Sequence, residues 1–97
     1  MKFLPTDKVT RKKLKELLEA QGYKCALTGR DLTPDDCGLD HIVPISKGGS
    51  ATMGNVQFVL RDVNHMKGAL MQEDFLTHCL EVVDFARTHG LIAENGD

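Results

Sequence analysis

The sequence predicts an α+β fold in a single domain spanning residues 1–97. Three observations carry that expectation. Two amphipathic stretches with helical period, 10–21 and 73–89, flank the chain's centre. Between them lie two short apolar runs rich in β-branched residues, 39–44 and 56–60, each bounded by turn residues. Finally, 97 residues are enough for one modest core and too few for two.

Thr10 to Gln21, TRKKLKELLEAQ, places Leu14, Leu17 and Leu18 at helical spacing with charges on the other face, and Gly22 follows as a C-terminal cap. The next segment, YKCALTGRDLTPDDCG, is punctuated by Gly29, Pro34, Asp35, Asp36 and Gly38, a pattern of turns with room for one short strand. Leu39 to Pro44 is short, β-branched and closed by proline, and reads as a strand. Ser46 to Gly54, SKGGSATMG, is a loop of small residues, and Val56 to Leu60, VQFVL, is a second strand able to pair with the first across that loop. From Arg61 the period changes, with Val63, Met66 and Lys67 at helical spacing until Gly68, so a short helix is expected. Glu73 to His89 carries Phe75, Leu76, Cys79, Leu80, Val83 and Ala86 on one face and ends at Gly90. The polar tail IAENGD is expected to fray. Internal repeats and low-complexity tracts are absent from the sequence.

Composition excludes several classes. With 41% apolar and 27% charged residues and no apolar run long enough to cross a bilayer, the chain is not a membrane protein of helical type. The start MKFLPTDK lacks the apolar stretch of a secretory signal, which points to an intracellular, cytoplasmic protein. Cys25, Cys37 and Cys79 are odd in number and share no C-x-x-C spacing, so they read as small apolar side chains rather than a disulfide framework or four-thiolate site. The formal net charge of -2 is unevenly spread: residues 1–24 hold seven basic and three acidic residues, leaving the remainder at -6. A basic arm that includes Lys12 and Lys13 can track a phosphate backbone through counterion release, although a solvated helix face explains the same charges.

The chemistry concentrates in LDHIVPISKGG, residues 39–49. Asp40 and His41 are consecutive on a strand, so their side chains point to opposite faces and serve different roles. Asp is a hard oxygen ligand suited to Mg²⁺, and a neutral His is the natural base for taking a proton from water. A second ligand is needed, and Asn64 on the short helix supplies a further hard oxygen, with Mg²⁺ leaving its remaining positions to water and phosphate. Lys67 follows one turn after Asn64 and would overhang the same spot with a positive charge. Asn55, at the end of the Gly-rich loop, is placed to hydrogen-bond loop backbone and fix where the first strand's residues point.

The ordered set D-H-I-V-P-I-S-K-G-G, G-N-V-Q and V-N-H-M-K-G resembles the HNH endonucleases, whose ββα-metal (His-Me finger) core is a two-stranded hairpin, a loop and a helix. The resemblance covers about residues 23–70. It implies a metal-dependent DNA endonuclease using one divalent cation, Mg²⁺ or Mn²⁺ with other divalent ions possible, and DNA as the partner. By the same resemblance His41 is the general base, Asp40 and Asn64 hold the metal, and Asn55 positions the loop and the base. The protein would then be an H-N-N variant of the kind found in phage and restriction settings. His65 is the alternative helix ligand, reached if the helix turns by about 100°. Many members carry two C-x-x-C pairs that bind a structural zinc. The corresponding positions here are Cys25-Ala-Leu-Thr28 and Leu60-Arg-Asp-Val63, so no structural zinc is expected and Leu60 and Val63 should close the gap by packing.

The implied reaction is phosphodiester hydrolysis to a 5′-phosphate and a 3′-hydroxyl, with Lys67, Lys47 and Arg61 as phosphate contacts near the site. One metal site cuts one strand per event, so nicking or double-strand cleavage turns on oligomeric state. His78 and His89, on the C-terminal helix, read as surface residues. The Gly48-Gly49 pair is not a phosphate-cradling P-loop, because no Gly-Lys-Ser/Thr follows it. The alternative to the enzyme is a non-catalytic HNH-like module that binds DNA through its basic first helix.

Overall fold

A computed structural model describes residues 3–93; the last four residues of the polar tail lie outside them. In chain order it contains helix α1 (Arg11–Ala20), strand β1 (Gly38–His41), strand β2 (Val56–Val59), helix α2 (Arg61–Lys67) and helix α3 (Gln72–Thr88). Single 3-10 turns sit at Pro34–Asp36, Ile45–Lys47 and Met53–Asn55. The fold is α+β, with an antiparallel hairpin and three helices.

Helix α1 starts where Thr10 turns extended and its hydroxyl accepts the Lys13 N–H at 3.2 Å. It ends as Gly22 and then Tyr23 enter the left-handed region, at φ +63° and +58°, so that the Tyr23 N–H closes back on the Leu18 carbonyl. The tight segment after it is fastened to β2 from outside. The Gln21 amide both accepts the Phe58 N–H (2.9 Å) and donates to the Phe58 carbonyl (3.0 Å), while the Ala26 N–H donates to the same carbonyl. The open edge of β2 is thereby occupied at Phe58.

The hairpin register pairs Gly38 with Val59, Leu39 with Phe58, Asp40 with Gln57 and His41 with Val56. Alternation therefore gives the sheet two unlike faces. Leu39, Val56 and Phe58 pack with Leu17 and Leu14 of α1 in one apolar cluster. Gly38, Asp40, Gln57 and Val59 face the other way, and α2 crosses that face over β1. A second cluster joins Cys25, Val59 and Leu60, with Leu27, Leu32 and Val63 packed against it. Leu60 and Val63 thus fill the space beside Cys25 with apolar side chains.

β1 is shorter than the sequence predicts. Ladder geometry stops at His41: the Ile42 N–H still reaches the carbonyl of its register partner Asn55, but the Asn55 N–H turns away to Thr52 and the Val43 N–H goes to the Asn55 side chain. Cys25 is buried, but Cys37 and Cys79 are only half-buried. No helix among the described residues is long and apolar enough to cross a membrane.

Candidate functional site

The loop between the strands is a built object. Asn55 is buried, and its side chain grips the opposite limb of the loop: Oδ1 accepts the Val43 N–H (2.9 Å), while Nδ2 donates to the Val43 carbonyl (2.9 Å) and the Ser50 carbonyl (2.8 Å). All of the amide's principal bonding capacity goes to backbone, which holds the chain immediately after His41 at a set distance from the start of β2. The two glycines serve this closure differently. Gly48 sits in the left-handed region at φ +87°, whereas Gly49 lies so close to Val43 that a Cβ would come within 1.8 Å of the Val43 carbonyl oxygen. Only glycine fits there. The N-terminal segment braces the loop from outside, its Pro5 and Asp7 carbonyls accepting the Gly54 and Met53 N–H groups. That segment is itself pinned by Asp7, which accepts the Leu4 N–H and pairs with Lys13; the backbone bond first, then Lys13, hold the Asp7 carboxyl below its ordinary value of 3.8.

The layer between β1 and α2 holds the charged residues. Asp40 is 3% exposed and Lys67 1% exposed, and Lys67 Nζ lies 3.1 Å from Asp40 Oδ1. The same ammonium donates to the carbonyls of His41 (3.1 Å) and Ile42 (3.4 Å), so its three donors are spent on the end of β1. Asp40 Oδ2 accepts from Gln57 Nε2 at 2.9 Å, and that amide also donates to Gln72 Oε1 at the start of α3 (2.8 Å). Lys67 therefore does not stand over the site as an exposed phosphate contact. Its hydrocarbon stem crosses the α2–β1 interface and its charge faces inward, where Asp40 neutralises it.

Asn64 lies one turn before Lys67 on the same face of α2. Its side chain rests against Gly38, where an added Cβ would meet Asn64 Nδ2 at 2.9 Å. Gly38 and Asp40 share a face of β1, so Asn64 and Asp40 enter one layer from opposing elements. His65 is exposed on the outer side of the helix. Asn64 and His41 are both half-buried, and neither holds a buried side-chain polar atom without a partner among the described residues. Of the remaining basic residues, Arg61 and Lys12 are exposed, Lys13 pairs with Asp7 at 3.3 Å, and the exposed Lys47 donates to the Ala69 carbonyl. Lys12 and Lys13 belong to α1, which packs on the opposite face of the hairpin from Asp40.

A divalent cation is testable against this donor set. Asp40 and Asn64 are both hard oxygen donors, and the Asn64 amide, half-buried at the edge of the α2–β1 layer, leaves no buried polar atom unsatisfied among the described residues. A carboxylate has about four acceptor sites, of which Lys67 and Gln57 use two, so Asp40 keeps capacity for a cation that shares it. Asp40 and Asn64 are the two hard-oxygen side chains this layer offers a cation, and the Lys67 ammonium already lies on the Asp40 carboxylate. No group of three or more His, Cys, Asp and Glu side chains gathers among the described residues.

Two groups do more than the sequence reading assigned them. Gln57 links Asp40 to α3, and its signal is a polar residue inside the apolar run VQFVL. Cys25 is the other: burial raises its thiol pKa, but bonds from the Thr28 hydroxyl and then the N–H groups of Leu60, Leu27 and Thr28 outweigh this and leave it below 9.0. The Leu60 N–H to Cys25 Sγ distance is 3.3 Å. Compared with known proteins, the chain matches no family model and no curated protein.

Proposed function

We propose that the protein is a metal-dependent DNA endonuclease of the HNH type, with Asp40 and Asn64 as cation ligands, His41 as general base and Asn55 as the residue that positions the base. The observation that carries this reading is that Asp40 of β1 and Asn64 of α2 lie in one layer, with the His41 imidazole at the end of the same strand on its other face. In this reading the hairpin, loop and α2 form the ββα-metal core. When bound, the cation would stabilise charge on the phosphate and the leaving oxygen.

The chain's own residues do the rest. His41 takes a proton from the attacking water, a role suited to an imidazole that is half-buried and not already held by the protein. Asn55 fixes the backbone just beyond His41, so the imidazole is presented from a rigid edge rather than a mobile loop. Lys67 and Gln57 orient the Asp40 carboxylate from two sides, and Lys67 also offsets its charge until a cation arrives. The ends of the scissile bond become a 5′-phosphate and a 3′-hydroxyl.

Incubation of supercoiled plasmid with the purified protein and Mg²⁺ or Mn²⁺ tests the reading. Nicking that disappears with chelator and falls by about 10²- to 10⁴-fold in His41→Ala is expected. Cutting that persists undiminished in that variant overturns the assignment. The buried Lys67–Asp40 pair favours a second reading, a non-catalytic DNA-binding module in which Lys67 takes the cation's place permanently. Salt-dependent DNA binding that is indifferent to chelator, with no cleavage in any divalent ion, is the result that reading requires.

A further inference from the structure

The basic residues of the first 24 positions do not all remain available once the chain folds. Lys13 is spent on Asp7 at 3.3 Å, and Lys24 pairs with Asp31. Lys8, Arg11, Lys12 and Lys15 are exposed and hold no ion pair among the described residues.

The packing of α1 decides where these charges stand. Gln21, just past the end of α1, bonds Phe58, the register partner of Leu39. The segment before α1 instead bonds the loop, with the Asp7 carbonyl accepting the Met53 N–H and Lys8 bridging to Thr52. The helix therefore starts at the loop end of the hairpin, where β1 finishes in His41, and runs back toward the Leu39–Phe58 pair. Alternation along β1 sets His41 on the Leu39 face, on which α1 packs, and away from Asp40. The basic half of α1 and His41 thus share one face and one end of the hairpin.

That end carries little competing negative charge. No Asp or Glu occurs between Asp40 and Asp62, so the loop and β2 contain none. Asp40 is buried on Lys67 and Asp7 is held by Lys13, while Glu16 and Glu19 belong to the second half of α1. The first turn of α1 has no acidic residue; Arg11, Lys12 and Lys13 stand at the positive end of the helix dipole, an arrangement that costs stability unless an anion is near. Arg11 and Lys15 are one turn apart, about 6 Å along the axis, and Lys8 precedes them on the segment that bridges the loop. The charges extend along the molecule instead of converging on one point, which suits a phosphate backbone better than a single anion.

We propose that the backbone of duplex DNA docks on Lys8, Arg11, Lys12 and Lys15 at the loop end of the hairpin, on the His41 side. The choice of DNA as the polyanion rests on the nuclease reading, but the surface is measured without any cleavage.

Fluorescence anisotropy of a labelled duplex of about 20 base pairs, in chelator, reads the affinity across about 50–200 mM KCl. One phosphate for each of the four cations predicts a slope of log K against log salt of about −3.6, a loss of about 10²-fold over that range. Arg11→Gln with Lys15→Gln should halve the slope to about −1.8, and Lys12→Gln alone should reduce it by about 0.9. All three side chains are exposed, so Tm should be unchanged or slightly raised in these variants. Arg87→Gln, in the last turn of α3, should leave the slope as it is. A wild type that does not bind the duplex, a slope that none of the α1 variants moves, an equal loss in Arg87→Gln, or a preference for phosphatidylserine vesicles over the duplex overturns the proposal. Binding that the α1 variants weaken, with no cleavage in any divalent ion, would sink the nuclease reading and leave this surface standing, while metal-dependent nicking with an unmoved slope would do the opposite.

Discussion

Lys67→Met is the perturbation with the largest expected consequence in the candidate site. Methionine keeps most of the stem that crosses from α2 to β1 but removes the ammonium 3.1 Å from Asp40 Oδ1. Asp40 is then left 3% exposed with a single remaining donor, Gln57, and the carbonyls of His41 and Ile42 lose theirs. Stranding one partner of a buried pair costs about 3–5 kcal/mol, most of it the uncompensated charge. For a domain of this size each kcal/mol lowers Tm by about 4–8 °C, so a drop of about 12 °C or more is expected. The protein has no Trp and one Tyr, so urea titration is best followed by far-ultraviolet circular dichroism. The double variant Asp40→Leu, Lys67→Met removes both charges and leaves Gln57 bonded to Gln72, so it should recover to within about 1–2 kcal/mol of wild type. A single variant within about 1 kcal/mol of wild type, or a double variant that loses the sum of the singles, would refute the claim that the two charges hold each other in a dry interface.

Three other outcomes follow from the loop and its brace. Asn55→Ala deletes three hydrogen bonds and leaves the Val43 N–H without its acceptor, which should lower stability by about 3 kcal/mol in the same titration. Gly49→Ala should destabilise by at least about 1–3 kcal/mol, measured as a fall in Tm, because its Cβ would stand 1.8 Å from a backbone oxygen that cannot swing aside. Asp7, with its carboxyl held below 3.8 by the Leu4 N–H first and Lys13 after it, contributes stability at neutral pH that is lost as pH falls below 3.8 through its lowered value. Asp7→Asn should therefore flatten that part of the acid limb of Tm against pH, and an unchanged limb would contradict the role.

The longer helices were legible because their signals are local. Thr10 and Gly22 punctuate α1, and the leucines between them repeat at a period that no strand shares. The same holds for the second strand, for α3, and for the turn-rich stretch after Tyr23. Asn55 also advertised its use, since a loop amide between two strands has backbone to bond and little else. These are properties of neighbours along the chain, and the sequence states them directly.

What tertiary structure decided is which faces meet. Composition treats Lys67 as a solvated lysine, and helical period places it only relative to Asn64; burial follows from α2 crossing β1 at the register that sets Lys67 on Asp40 and Asn64 on Gly38. β1 ends at His41 because the Asn55 N–H turns to Thr52 and the Asn55 side chain, twelve residues beyond Val43, takes the Val43 N–H. Asn64 rather than His65 faces the hairpin for a similar reason, a rotation of α2 fixed by packing at Val63 and Lys67. Periodicity determines which side chains share a face, whereas contact between faces depends on the global arrangement of elements, and no local pattern encodes that.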